Sequence, residues 1–215
     1  MFENLRADVA RFPGGGWTSL RLALESPGFY AAALYRVRRH VHTRLPRPIS
    51  LAVKLHLEPF ARIASWALGA AISPSAQIGP GLYIGHWGGI RVGPTAVLGA
   101  DCNLSPGVII GFGMRNGIRG EPKIGDRVYI APGAKVFGPI TIGSDVAVGA
   151  NAVVCRDVPS HVSVGGVPAR VISRKGSAEY LQPQRLPPVE TPKNEVRVER
   201  RAPRGRNAVR PTELR

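Results

Sequence analysis

The chain has 215 residues, 44% of them apolar, which is enough for one or two domains with a buried core. Lys and Arg number 29 against 14 Asp and Glu, a formal net charge of +15. The surplus is spread, with 10 basic and 4 acidic residues in 1–70, 10 and 5 in 71–175, and 9 and 5 in 176–215. That evenness excludes a single nucleic-acid stripe and leaves a solvated basic surface, attraction of anionic small molecules, or contact with a membrane surface.

Two cysteines, Cys102 and Cys155, make no disulfide framework and no CxxC site. Glu3, Arg6, Asp8 and Arg11 interrupt the first fifteen residues, so no apolar signal-peptide core is readable there. No run of eighteen uncharged apolar residues occurs, so no membrane span is expected and the expected location is cytoplasmic.

Taken in order, residues 2–12 predict a short helix, with Leu5, Val9 and Phe12 at roughly helical spacing and Pro13-Gly14-Gly15-Gly16 breaking it. Residues 17–45 predict a second helical segment with a possible break at Pro27-Gly28. Tyr30, Leu34, Val37 and Val41 share one face of its later part. Residues 49–68 are apolar with Lys54, His56, Glu58 and Arg62 interspersed, and predict a packed helix interrupted near Pro59. The same pattern is compatible with peripheral contact at a membrane interface.

From residue 72 the period changes. Aliphatic residues recur every six positions at Ile72, Ile78 and Ile84, then at Val92, Leu98, Leu104 and Ile110, then from Ile124 through Ile130, Val136, Ile142 and Val148 to Val154. Small or aliphatic residues usually follow four positions later, as at Ala76, Ala96, Cys102 and Ala134. A period of six fits neither a helix nor an alternating strand and marks a parallel β-helix of hexapeptides, three sides to a coil. Two phase breaks interrupt it. Two extra residues fall within 85–91, Gly-His-Trp-Gly-Gly-Ile-Arg, and a longer loop within 111–123. Insertions in repeat folds map to loops on one face, where binding concentrates.

The pattern decays after Val154, and residues 161–172 read as a final coil and cap. Residues 176–215, rich in Pro, Arg and Glu and poor in aromatics, read as a disordered basic tail. The expected organisation is an α-helical region over 1–70, the β-helix domain over 71–175 and the tail over 176–215.

The segment from Ile78 to Ile172 resembles the serine acetyltransferase branch of the hexapeptide-repeat acyltransferases. The residues that carry this are IGPGLYIGHWGGIRVG, the loop ending EPKIGD, then VYIAPGAKVFGPITIG, VGANAVVCRDVP and GGVPARVI. The resemblance implies a mainly β fold, a left-handed parallel β-helix that departs from the usual right-handed crossover. It also implies a homotrimer with active sites between subunits and acetyl-CoA as co-substrate, with no metal. His86 falls at the family's catalytic histidine, where a base near neutral pKa takes a hydroxyl proton. A histidine at a turn also serves as a plain structural cap. Lying two residues past the inward Ile84, however, His86 is expected to point outward.

If the 111–123 loop merely interrupts one side, Ile84, Leu104, Ile130 and Val148 stack. His86, Pro106, Pro132 and Ala150 then form a column roughly 14 Å long at about 4.8 Å per coil. Pro132 and Ala150 fall where the resembled family lays the pantetheine arm. Gly111 is a further candidate cofactor contact, and Arg170 and Lys175 are candidate partners for CoA phosphates.

Departures from the family pattern bear on the acceptor. The carboxylate that pairs with the catalytic histidine aligns with Ala71, and the Asp before that histidine is Gly85. In the family's loop element, Arg becomes Gly120 and a second His becomes Glu121. The expected activity is therefore O-acetyl transfer to a sugar or polysaccharide hydroxyl, with Trp87 a candidate for stacking on a sugar ring and Glu121 a candidate for orienting His86 or touching the acceptor. Serine as acceptor is the alternative, and a non-catalytic trimeric scaffold is the non-enzymatic one. A zinc site of three His is disfavoured, because residues 70–175 hold only His86 and His161. No nucleic-acid partner is expected.

Overall fold

The computed structural model describes residues 1–86 and 88–181, leaving Trp87 and the expected tail from 182 to 215 outside the described residues. Four helices open the chain: α1 (Phe2–Ala10), α2 (Gly16–Glu25), α3 (Pro27–Arg44) and α4 (Arg47–Ala67). The Pro27-Gly28 pair begins α3, because Pro fits the first helical turn, where its missing N–H has no intrahelical role. Contrary to the expected interruption, α4 runs through Pro59, and its large apolar side chains lie mostly exposed.

The repeats form a parallel β-helix. Its first side stacks Ala70–Ile72, Ile90–Val92, Ile109–Gly111, Lys135–Phe137 and Val153–Val154. The second stacks Gln77–Ile78, Val97–Leu98, Lys123–Ile124 and Thr141–Ile142. The third stacks Asn103–Leu104, Tyr129–Ile130, Ala147–Val148 and Ser163–Gly165, with Tyr83 bridged to Asn103 above them. All thirteen period-six aliphatics are buried, from Ile130 and Val136 at 0% exposure to Ile78 at 6%. Each fully buried side chain of this size contributes about 1.5–3 kcal/mol relative to exposure. The small residues four positions on, such as Ala76, Ala96 and Ala134, are also at 0%. The same position in other coils holds larger buried chains, Leu82, Val108, Val128, Ile140 and Val146. Burial also pushes the Cys102 thiol up to about 11, so it is an inert core group.

An open β-helix end presents unpaired backbone groups, as a sheet edge does. The N-terminal helices cover that end. Tyr35 Oη donates to the Ala76 carbonyl at 2.9 Å and accepts from the Ile78 N–H at 3.2 Å. Arg36 donates to the carbonyls of Ile78 at 2.8 Å and Gly79 at 2.6 Å, while Arg39 reaches Ala76. Asp8 is fully buried, accepts from Arg36 Nε and Nη2 at 2.9 Å each, and takes the Leu82 N–H at 2.7 Å. One ion pair thus fastens α1 and α3 to the first coil.

At the other end, Arg170–Ser173 pairs antiparallel with Ser163–Gly165 and closes the last coil. The ordered chain continues beyond the expected boundary at 175. Ser177 is 1% exposed and its hydroxyl donates to the Arg127 carbonyl at 2.5 Å. In the short helix α5 (Ala178–Leu181), the Tyr180 ring stacks on Tyr129 with centroids 4.8 Å apart. Composition hid this docking, because one buried hydroxyl and one half-exposed ring stack tie the segment down.

Candidate active site

His86 sits at the corner joining the third side to the first, and its side chain is exposed. Among the described residues no side chain hydrogen-bonds its ring, consistent with alanine at position 71. Register fixes how it is presented. Tyr83 pairs with Asn103, and Ile130 pairs with both Leu104 and Val148, so Ile84, Leu104, Ile130 and Val148 stack as the sequence predicts. On the first side Arg91 pairs with Ile109 and Val92 with Ile110. The offset between coils is therefore twenty residues before the corner and eighteen after it. The two extra residues therefore fall between Ile84 and Gly88, the stretch that holds His86.

This corrects the expected column. The Gly107 N–H donates to the Gly88 carbonyl at 2.7 Å, so Gly88 lies over Pro106 where His86 was expected. Below it the Gly133 N–H donates to Pro106 at 2.8 Å and the Asn151 N–H to Pro132 at 2.9 Å, aligning Pro106, Pro132 and Ala150. Gly89, at φ 68°, is required here: a Cβ would lie 3.2 Å from the Gly107 Cα, on a backbone conformation that L side chains resist. Pro132 and Ala150 are exposed. An exposed corner column thus runs from Gly88, two residues past His86, down through Pro106, Pro132 and Ala150. Arg170, paired opposite Gly165, stands at its far end with Nη1 bonded to the Ala169 carbonyl at 2.9 Å.

Two contacts from the helices reach the extrusion. A Cβ on Gly28 would lie 1.9 Å from the Ile84 carbonyl oxygen, so α3 begins directly against the backbone two residues before His86. Tyr83 packs on Phe12 with centroids 5.1 Å apart, and its ring fills the space a Cβ at Gly85 would need, 3.0 Å away. Sequence reasoning passed over Gly28 and Tyr83; the Pro27-Gly28 dipeptide was a signal for a break, but nothing local marks what packs against it.

Other candidates lie elsewhere. Gly111 and Glu121 sit at the opposite edge of the first side, where the long loop leaves and rejoins the coils. Glu121 is 9% exposed, and Oε2 accepts from the Thr95 N–H at 2.6 Å and the Thr95 hydroxyl at 2.9 Å. Its carboxylate also fills the space over Gly93. Within one chain Glu121 therefore pins the loop to the coil above and does not orient His86. Lys175 lies beyond Ser173, past the start of the third side, and forms an ion pair with Glu179 at 3.6 Å, away from the column. The loop itself is a hairpin of Gly113–Arg115 and Ile118–Gly120 around Asn116 (φ 50°) and Gly117 (φ 77°). Asn-Gly is a strong hairpin signal and was readable in the sequence.

A cavity of about 640 Å³ lies between α4 and the first side, lined by Arg38, Glu58, Arg62, Trp66, Ala71 and Arg91 among others. Ala71 pairs with Arg91 there. Among the described residues no group of three or more His, Cys, Asp or Glu gathers to hold a metal ion.

Residues 121–156 match the family model described as bacterial transferase hexapeptide (six repeats). A serine acetyltransferase from Synechococcus elongatus is 37% identical over 182 residues, covering 82% of this chain and 70% of that protein. The chain belongs to the serine acetyltransferase family of hexapeptide-repeat acyltransferases. The crystal structure of the Neisseria gonorrhoeae serine acetyltransferase is 34% identical with a TM-score of 0.68, over 81% of this chain and 65% of that one. The same gonococcal protein is known in complex with serine. A Brucella abortus serine acetyltransferase in complex with coenzyme A is 29% identical with a TM-score of 0.66, over 80% of this chain and 68% of that one. This chain thus spans about two thirds of its relatives' length. Against the serine acetyltransferase family pattern, Ala71, Gly85, Gly120 and Glu121 remain the departures.

Proposed function

We propose that this chain transfers an acetyl group from acetyl-CoA to a hydroxyl oxygen, with His86 as general base and L-serine as the acceptor that its relatives favour. The carrying observation is His86, exposed in the stretch that holds the two extra residues, at the head of the corner column. The imidazole takes the hydroxyl proton as the oxygen attacks the thioester carbon. The imidazolium returns that proton to the departing CoA sulfur, so the site ends neutral and ready to repeat. Pro132 and Ala150 leave backbone groups open to a pantetheine arm, and Arg170 stands where the CoA phosphates would arrive.

The comparisons reverse the order of acceptors expected from sequence, since a relative of this family is known with serine bound. A larger hydroxyl acceptor is the second reading, and a specific observation favours it. Ala71 opens into a cavity of about 640 Å³, a size that suits a drug-sized ligand, and no carboxylate stands at positions 71 or 85 to hold an ammonium group. Each missing charge-assisted hydrogen bond is worth about 1.5–3 kcal/mol. A thiol-release assay with acetyl-CoA decides between them. Turnover at sub-millimolar L-serine supports the first reading. Turnover on nucleotide sugars or glycans with serine inert selects the second.

The active unit is a homotrimer in this proposal. Phe112, Met114 and Ile118 stand 59%, 66% and 64% exposed on and beside the hairpin, which suits a loop that closes on a neighbouring subunit. Light scattering at micromolar concentration should give three times the chain mass; a monomer would remove any shared site.

A further inference from the structure

We propose that the cavity between α4 and the first side is an anion-binding subsite for the acceptor, in which Arg62 and Arg91 hold a carboxylate or phosphate of the molecule whose hydroxyl His86 deprotonates. That role rests on the acetyl transfer proposed above and adds where the acceptor's charge is held.

The cavity is built by one chain. Its walls are the later turns of α4 and the strands Ala70–Ile72 and Ile90–Val92 of the first side, so each subunit forms it alone. It encloses about 640 Å³, room for a sugar phosphate as well as a small hydroxy acid. One wall leads to the chemistry. Gly89 lines the cavity three residues past His86, so their Cα atoms are at most about 11 Å apart. The Ile90 N–H donates to the Gly69 carbonyl at 3.0 Å, and a Cβ on Gly69 would lie 3.0 Å from the Gly88 Cα. The end of α4 is therefore seated on the corner that follows His86, and the cavity reaches that corner.

Register and pairing select the cations. On the outward ladder of the first side Ala71 pairs with Arg91, Arg91 with Ile109, and Ile109 with Lys135. The Lys135 ammonium is occupied, donating to the carbonyls of Gly107 at 2.5 Å and Gly133 at 2.8 Å. Arg38, in the cavity wall, is occupied by Glu58, the one acid in the lining, and takes both of its oxygens. Arg62 and Arg91 differ. Both line the cavity and are exposed, and among the described residues their guanidinium groups make no hydrogen bond or ion pair. Ala71, beside Arg91, brings neither bulk nor an acid to it. An arginine on a convex surface is solvated and selects little. These two line one walled space next to the reacting base, and their planar forks match the paired oxygens of a carboxylate or phosphate.

The test sets each anionic acceptor against a neutral counterpart, L-serine against L-serinamide and glucose 1-phosphate against glucose. Thiol release from acetyl-CoA gives KM and kcat for the unaltered chain and for Arg62→Gln/Arg91→Gln. The double exchange should raise KM for the anionic member by about tenfold or more, with kcat, the KM for acetyl-CoA and the neutral member changed by less than about threefold. Arg62→Lys/Arg91→Lys keeps both charges and should recover part of the loss, which separates the subsite from a defect in folding. An unchanged KM for the anion, or an equal loss on the neutral member, overturns the subsite and leaves acetyl transfer standing. Calorimetric binding of the same four compounds without acetyl-CoA tests the subsite apart from the chemistry. Anion binding that weakens by about tenfold or more in the Gln variant upholds it even where nothing is acetylated. No binding of either anion, or binding that ignores the charge, overturns it. The pair that responds tells a carboxylate from a phosphate.

Discussion

Replacement of His86 by alanine should slow acetyl transfer by about 10²–10⁴-fold, the range that a positioned general base supplies. Binding of acetyl-CoA should stay within a few-fold. The two effects separate because of geometry. His86 lies two residues before Gly88 at the head of the corner column, whereas the backbone surface proposed for the pantetheine arm lies one to three coils below, at Pro106, Pro132 and Ala150. Side-chain removal at 86 also disturbs no packing, since the ring is exposed and no described side chain bonds it. Single-turnover rates and equilibrium CoA binding on the same preparation make the comparison. A variant with near-full turnover removes His86 from the chemistry.

A large effect on stability is expected far from that column. Asp8→Ala should cost about 3–5 kcal/mol, because it strands a buried cation without its partner. Arg36 is 3% exposed, and with Asp8 gone its guanidinium keeps the carbonyls of Ile78 and Gly79 and the Tyr35 ring but no counter-charge. The Leu82 N–H loses its acceptor in the same step. Urea denaturation monitored by circular dichroism gives the comparison. Unchanged stability would show that α1 is not fastened to the first coil through this pair. Replacing both partners by apolar residues of similar volume should recover part of the loss, since the pair's worth lies mainly in the penalty of breaking it.

The fold was legible because a hexapeptide coil is a local device. Each buried aliphatic occupies the same place in every repeat, so the period exposes the core without any knowledge of distant contacts. His86 was legible for the same reason, since an insertion is visible only against a strict period. The exact column was not. Whether two extra residues displace the chain before or after the corner depends on which backbone groups pair between coils, and the Gly107–Gly88 bond settled it. Glu121 illustrates the limit for polar groups. Its residue type suits an acid, an orienter or an anchor, and the position of Thr95 one coil above made it an anchor.

The three-sided coil, the inward aliphatic columns, the two interruptions and the helical nature of the N-terminal region all follow from spacing along the chain. What the helices do depends on contacts between distant segments. Asp8, Arg36 and Tyr35 are separated from Ala76 to Leu82 by 41 residues or more, except that Asp8 and Arg36 lie 28 apart. Their partners are backbone groups of the first coil, which carry no side-chain signature. The 49–68 pattern left a packed and an interfacial helix both open, because a helical pattern fixes which residues share a face but not which face turns to the protein. On the inward side Ser50 and Ala61 are buried, Val53 and Leu57 half-buried, and Glu58 pairs with Arg38.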